Sequence, residues 1–167
     1  MEPREWTLGG LVVRLRQGPF DDSVLDLSVK IENIPLGTSP AGELSVGGTI
    51  GGLGISVREA SSAKELTYWP AVSIEDPDRR QVIFDATRRA LEMARSKGAT
   101  SVGLFTMGLE VSLVPDWEIA EEIARALYLH AQTDTSVREV EIVTSSTAQL
   151  DSFIFALNNV EMLARQE

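Results

Sequence analysis

The sequence predicts an α/β protein with helices on both faces of a mixed sheet, on three observations. After position 76 the apolar pattern switches between helical spacing and short strand-like runs, in the order α-β-α-β-α. Before Trp69 the chain is rich in Gly, Ser, Thr and β-branched residues, a composition of strands and turns. Across all 167 residues, 43% are hydrophobic and 24% charged, the balance of an ordinary globular domain. The length fits about one domain, so 1–167 is read as a single unit.

Taken in order, LVVRL at 11–15 reads as a first strand and 25–31 as a second. The stretch 44–57 holds Gly47, Gly48, Gly51, Gly52 and Gly54, which break any long strand into pieces joined by turns or bulges. Residues 66–69 and 71–74 read as extended chain interrupted at Pro70. Asp76 and Pro77 then supply an N-cap and a proline at the first helical position. Val82, Ala86, Ala90 and Met93 mark the inner face of that helix, which stops at Gly98. SVGLF at 101–105 is a buried strand. Pro115 and Asp116 open the most regular amphipathic helix, with Ile119, Ala120, Ile123, Ala124, Leu127 and Ala131 in register. Residues 139–143 alternate as a half-buried strand does. Ser146 and Gln149 have capping-box spacing before a last helix bearing Leu150, Phe153, Ile154 and Leu157.

Composition also excludes chemistry. There is no cysteine, hence no disulfide, thiolate metal site or cysteine catalysis, and one histidine cannot build a His-rich zinc centre. No cofactor or metal is expected. The net charge of −10 argues against nucleic-acid binding, which needs a positive footprint. Apolar runs fall far short of the roughly 20 residues that span a bilayer, so no membrane association is expected. The first residues are charged and carry no signal-like apolar stretch. A cytoplasmic location is the expectation.

From Asp76 onward the chain resembles a macro domain, the α/β module that in many proteins binds ADP-ribose. SVGLF at 101–105 is similar to the family's S-I-A-F-P strand. GLEVSLVP at 108–115 has the length of its phosphate loop, G-T-G-x-x-G-F-P, and is followed by the same long helix. The strand at 139–144 and the helix at 147–160 fit the family's ending. Toward the N-terminus, Gly18 precedes Asp26 by eight residues, as in the family's G-D-I-T to V-D-A-I-V-N-A-A-N spacing, and LDLSVKIEN at 25–33 overlays the second motif. The resemblance implies a macro-domain-like three-layer α/β/α sandwich with a mixed central sheet.

It also shows departures at the ligand positions. The family's adenine-binding aspartate falls on Pro19, which has no side-chain acceptor. The first motif asparagine falls on Lys30, while the last is kept as Asn33. Of the phosphate-loop glycines only Gly108 remains; the others fall on Glu110 and Leu113. Those glycines let backbone amides approach a diphosphate and adopt positive φ. A Glu110 carboxylate near phosphate, at about 4–6 Å and an effective dielectric near 20, would cost on the order of a few kcal/mol. The family's aromatic residue after the last strand is replaced around Ser145. The resemblance therefore implies that ordinary ADP-ribose binding has been lost.

Other features are weighed against simpler roles. The glycine segment 47–54 favours bulges over an anion cradle, since no Walker lysine follows. His130, near a helix end, favours a capping or surface role over catalysis, as no triad partner is spaced for it. Asp21, Asp22 and Asp26 read as a solvated loop plus one structural aspartate. Trp117 could plug the former cleft or pack at the sheet edge. Tyr68, Trp69 and Pro70 could stack a base or fill a core. Glu118, Glu121 and Glu122 read as a solvated acidic face.

The reading that follows is a non-catalytic, macro-domain-like module acting through a protein partner or self-association. The alternative is a binder of ADP-ribose or a related nucleotide in a remodelled cleft formed by Asn33, Gly108, Leu109, Glu110, Val111 and Ser112. An ADP-ribosyl hydrolase ranks third, because Lys30 replaces an asparagine. No catalytic residue is assigned.

Overall fold

The computed structural model describes residues 4–18, 25–30 and 65–166. Its described elements are β1 (Arg4–Leu8), β2 (Leu11–Gln17), β3 (Leu27–Lys30), β4 (Glu65–Tyr68), α1 (Arg79–Ser96), β5 (Ser101–Phe105), α2 (Asp116–His130), β6 (Glu139–Thr144) and α3 (Thr147–Arg165). The described strands form one six-stranded sheet in the order β1-β2-β6-β5-β3-β4. β1 is antiparallel to β2, and the other neighbours are parallel, so the sheet is mixed as expected.

β1 was not anticipated. It folds back on β2 through Gly9 and Gly10, with Leu8 opposite Leu11. Gly9 sits at φ 59, a conformation that glycine adopts without a Cβ clash. In a two-residue hairpin the flanking pair is hydrogen-bonded, so the next pair, Thr7 and Val12, points its polar backbone outward. The Thr7 N–H accordingly donates to Glu161 Oε2 on α3 at 2.8 Å. Trp6, one residue earlier, is buried and donates its indole N–H to Asn158 Oδ1 at 2.8 Å.

One side of the sheet is apolar throughout. Leu11, Val13 and Leu15 of β2, Val140 and Ile142 of β6, Val102 and Leu104 of β5, and Leu27 and Val29 of β3 lie in matching register. All belong to a single core with the buried faces of α1, α2 and α3. α1 packs against α2, α2 against α3, and α3 reaches β1, β2 and β6. The opposite side carries Arg14 and Arg16 paired to Glu139 and Glu141 at 3.0 and 3.2 Å, and a small cluster of Leu25, Phe105 and Val143. The glycine segment 47–54 lies outside the described residues.

Three local expectations are corrected. Asp76 does not cap α1. Its carboxylate accepts from the Ser73 N–H at 3.0 Å and its own N–H donates to the Ser73 carbonyl at 2.9 Å, closing a turn before the helix. The helix starts at Arg79, with Asp78 as its N-cap residue and no side-chain cap bond. Its buried residues are Ile83, Phe84, Ala86, Thr87, Ala90, Leu91 and Ala94, so the expected Ala86 and Ala90 hold, Met93 packs partly buried against the core, and Ile83 takes the place expected of Val82. Residues 71–74 form no strand; the Ile74 N–H instead donates to the Ser112 carbonyl at 3.0 Å. The stop at Gly98 holds: at φ 71 it donates to the Arg95 carbonyl while Ala99 donates to Ala94, a Schellman ending.

Candidate functional site

In open α/β sheets, ligands bind beyond the carboxyl ends of parallel strands where the chain direction of winding reverses. Here β3 leads outward to β4, and the chain returns past β3 to β5 and on to β6. That rule places the candidate site at the carboxyl ends of β3, β5 and β6, at Lys30, Phe105 and Thr144, beside the loop that follows β5.

The side chains at these strand ends engage one another. The Lys30 ammonium lies 5.0 Å from the centre of the Phe105 ring, a cation–π contact at the position where the resemblance puts an asparagine. Phe105 in turn fills space over Gly103, two residues back on the same strand face. Trp69, just past β4, is buried to 5% exposure and donates its indole N–H to the Phe105 carbonyl at 2.9 Å. It fills a core rather than presenting a ring for stacking.

Gln149 ties the ends of β5 and β6 together. Its Oε1 accepts from the Thr106 hydroxyl at 2.8 Å and from the Ser145 N–H at 3.1 Å. The expected capping box is half formed. Ser146 Oγ accepts from the Gln149 N–H at 3.2 Å, but the glutamine side chain passes the cap residue and serves its neighbour Ser145.

The 108–115 loop keeps left-handed backbone at two of the three positions where the resemblance puts glycine. Gly108 is at φ 96 and Leu113 at φ 64. Between them Leu109–Ser112 forms a 3-10 turn. Leu109 is buried in the core and its N–H donates to the Thr106 carbonyl at 3.0 Å. Ser112 is buried, with Oγ donating to the Leu109 carbonyl at 2.6 Å and accepting from the Val114 N–H at 3.2 Å. The amides of 109 and 114 are thus used within the loop. Glu110 and Val111 lie in the 3-10 turn, their side chains outside the described set. Asn33, Pro19, Asp21 and Asp22 also lie outside the described residues.

Leu113 is 73% exposed, so its side chain gains little from the position while its backbone is strained. The left-handed conformation costs a non-glycine residue roughly 1–2 kcal/mol, and glycine gives back about 0.5–1 kcal/mol through the freer unfolded chain. Leu113→Gly is expected to stabilise the protein by about 0.5–1 kcal/mol in urea unfolding; a loss of stability would show that the strain is absent.

Asp26 is the structural aspartate expected. Its Oδ2 accepts from the Thr100 N–H and hydroxyl at 2.9 and 3.1 Å and from the Ser101 N–H at 3.3 Å, anchoring β5 beside β3.

The acidic face on α2 is corrected. Glu118 and Glu122 are buried and ion-paired rather than solvated. Glu118 takes a two-pronged contact from Arg79 at 2.9 and 3.1 Å. Arg80 reaches Glu121 at 2.6 Å and Glu122 at 2.7 Å, and Arg125 reaches Glu122 at 2.6 Å. Arg125 also lies 3.8 Å from the Phe84 ring centre. The pairing joins two arginines at the start of one helix to glutamates in the first turns of the next, a match that no local stretch of sequence contains.

Trp117 neither plugs the crevice nor packs at a sheet edge. It is 51% exposed in the first turn of α2, with the Arg80 guanidinium 5.3 Å from its ring centre. Beside it Phe155 of α3 is 64% exposed. This outward aromatic pair was missed, because Phe155 follows directly on the apolar residues Phe153 and Ile154 and its direction depends on helical phase.

His130 is buried, not a surface residue. Its Nε2 lies 2.8 Å from Thr135 Oγ1 and its Nδ1 lies 3.8 Å from Glu92. Burial holds its pKa below the usual histidine value, assisted by the Arg95 charge and opposed by Glu92. The unfolded chain binds a proton near pH 6.5 and the native chain only below that. Between those values the unfolded state holds more protons, so stability falls as pH drops through and below about 6.5. Urea midpoints at pH 7.5 and 5.5 should show this slope, and His130→Gln should flatten it.

Among the described residues, no helix is long and apolar enough to cross a membrane, and no group of three His, Asp or Glu could hold a metal ion. No protein-family model and no curated protein matches the chain. Solved structures do. An Oceanobacillus iheyensis macrodomain with ADP superposes with a TM-score of 0.71 at 14% identity, covering 97% of this chain and 98% of that one. A Trypanosoma brucei macrodomain in complex with ADP-ribose superposes with a TM-score of 0.59 at 13% identity, covering 84% of this chain and 67% of that one. The chain has the macrodomain fold.

Proposed function

We propose that this chain is a single, non-catalytic macro-fold module that works in the cytoplasm through contacts with other proteins. One observation carries the reading. The exposed large apolar side chains Trp117, Leu129, Phe155 and Leu163 line the outer seam of α2 and α3, whereas at the strand ends Lys30 and Trp69 both engage Phe105, and Gln149 engages Thr106 and Ser145. Exposed apolar patches of this kind mark interaction surfaces. Lys30 over Phe105, where the resemblance puts an asparagine, argues against ADP-ribosyl hydrolysis.

A second reading, binding of ADP-ribose or a related nucleotide, is favoured by the left-handed backbone at Gly108 and Leu113 and by the ADP and ADP-ribose held in the similar structures. Thermal unfolding with ADP-ribose, ADP and NAD at millimolar concentration separates the two. A ligand at 100 times its dissociation constant adds about 2.7 kcal/mol. No shift is expected; a saturable shift with ADP-ribose would replace the first reading by the second.

A further inference from the structure

Two clefts of about 370 Å³ each meet on the outer seam of α2 and α3 and share Glu121. The first is lined by Trp117, Glu121, Asp151, Ser152 and Phe155. The second, where Arg80 and Arg125 are paired with Glu121 and Glu122, runs on past Tyr128, Leu129, Ala156, Val160 and Leu163. We propose that this groove binds a basic, amphipathic helical segment of a partner protein, with a cationic side chain of that segment seated between Trp117, Phe155 and Asp151. The proposal rests on the protein-contact reading and assigns its site and partner.

The walls select a helix: the groove lies between the packed helices α2 and α3, and a third helix fits its side-chain ridges into such a seam. From Trp117 to Leu129, α2 rises about 18 Å, which matches three turns of a helix laid along it. A helix in a groove is held by apolar anchors at helical spacing. Leu129 and Leu163, both exposed, offer apolar contact at one end.

The other end selects charge. Trp117 and Phe155 are both more than half exposed, and Asp151 beside them is exposed with no ion-pair partner among the described residues. The site already carries one example of the contact it would make: Arg80 lies over the Trp117 ring while pairing with Glu121. A lysine or arginine from outside would meet the same combination of ring and carboxylate in Phe155 and Asp151. A second copy of this chain is a poor occupant, since each copy carries a net charge of −10.

The test uses the full chain and a synthetic peptide of about 18 residues made of Ala, Leu and Lys. Leucines stand at three- and four-residue spacing, and lysines in the last turn, where the helix dipole favours them. Its control replaces each Lys by Glu. Trp6 and Trp69 are buried, so iodide quenching reports Trp117. Saturable protection by the Lys peptide is expected, weakening as salt rises, with no protection by the Glu peptide. In calorimetry, Phe155→Ser should weaken the Lys peptide about tenfold and Asp151→Asn about threefold. Both positions are exposed, so the fold should survive. Equal binding of the two peptides, no binding up to millimolar peptide, or indifference to both substitutions would overturn the proposal. A dimer in light scattering that Phe155→Ser dissolves would give the groove to a second copy and overturn it too. Failure here with no ADP-ribose shift removes only this groove; an ADP-ribose shift removes the protein-contact reading whatever the peptides do.

Discussion

Trp69→Ala is expected to cost the fold about 3–5 kcal/mol, the range for deleting a large buried aromatic side chain. The tryptophan sits at the junction of three strands: its backbone N–H donates to the Lys30 carbonyl at 2.9 Å, and its indole reaches the Phe105 carbonyl across β3. Trp69→Phe keeps most of the apolar burial but leaves that carbonyl without its donor, at about 1–2 kcal/mol. Urea midpoints of the two variants separate packing from hydrogen bonding. A ring reserved for stacking a base would be half open to water, and its removal would cost well under 1 kcal/mol. That result would return Trp69 to the list of ligand contacts.

Gly103→Val should be nearly as damaging, and Gly103→Ala milder in the same direction. A Cβ at 103 would clash with Leu25 Cδ1 and stand 2.7 Å from Phe105 Cε1. The leucine tip can swing away; the ring is enclosed by Leu25 and Val143 and cannot move freely. Overpacking of this kind costs about 1–3 kcal/mol for one added methyl, and more for valine. The resemblance places alanine at 103 and proline at 105, so this chain has exchanged a small-large order for a large ring over an empty Cβ site. If so, the two positions are coupled. Phe105→Leu in the Gly103→Ala background should recover part of the loss, with a coupling of about 0.5–3 kcal/mol in a double-mutant cycle. Strict additivity would mean that the ring and the glycine are not matched to each other.

Where sequence and structure agree, the residues have one strong local reason to be where they are. α2 and α3 were legible because apolar side chains recur at helical spacing for several turns and Ser146 caps the second of them. β5 was legible as a short apolar run closed by Gly98 before it and Gly108 after it. Elsewhere, tertiary partners decided. Asp76 and Pro77 carry every mark of a helix start, but Ser73 captures the carboxylate three residues early. Gln149 has capping-box spacing, but Thr106 and Ser145 compete for the same oxygen. Glu118 and Glu122 read as surface because nothing in a local window reveals that Arg79, Arg80 and Arg125 converge on them from two helices. In the candidate site, Gly108 and Leu113 could be assigned to the loop by length alone. That Leu113 keeps a glycine's backbone angle could not be, because a leucine in sequence gives no sign of positive φ.

The Thr7–Glu161 contact has a consequence for how the molecule behaves when crowded. β1 is the margin of the described sheet, and an outward backbone amide there is an invitation for another chain to add a strand. Glu161 occupies that amide with a carboxylate that Arg165 also holds, at 3.1 Å. An approaching strand would have to evict a charge before it could bond at Thr7. One bonding position on that margin is thereby taken, and deleting that one carboxylate would free it.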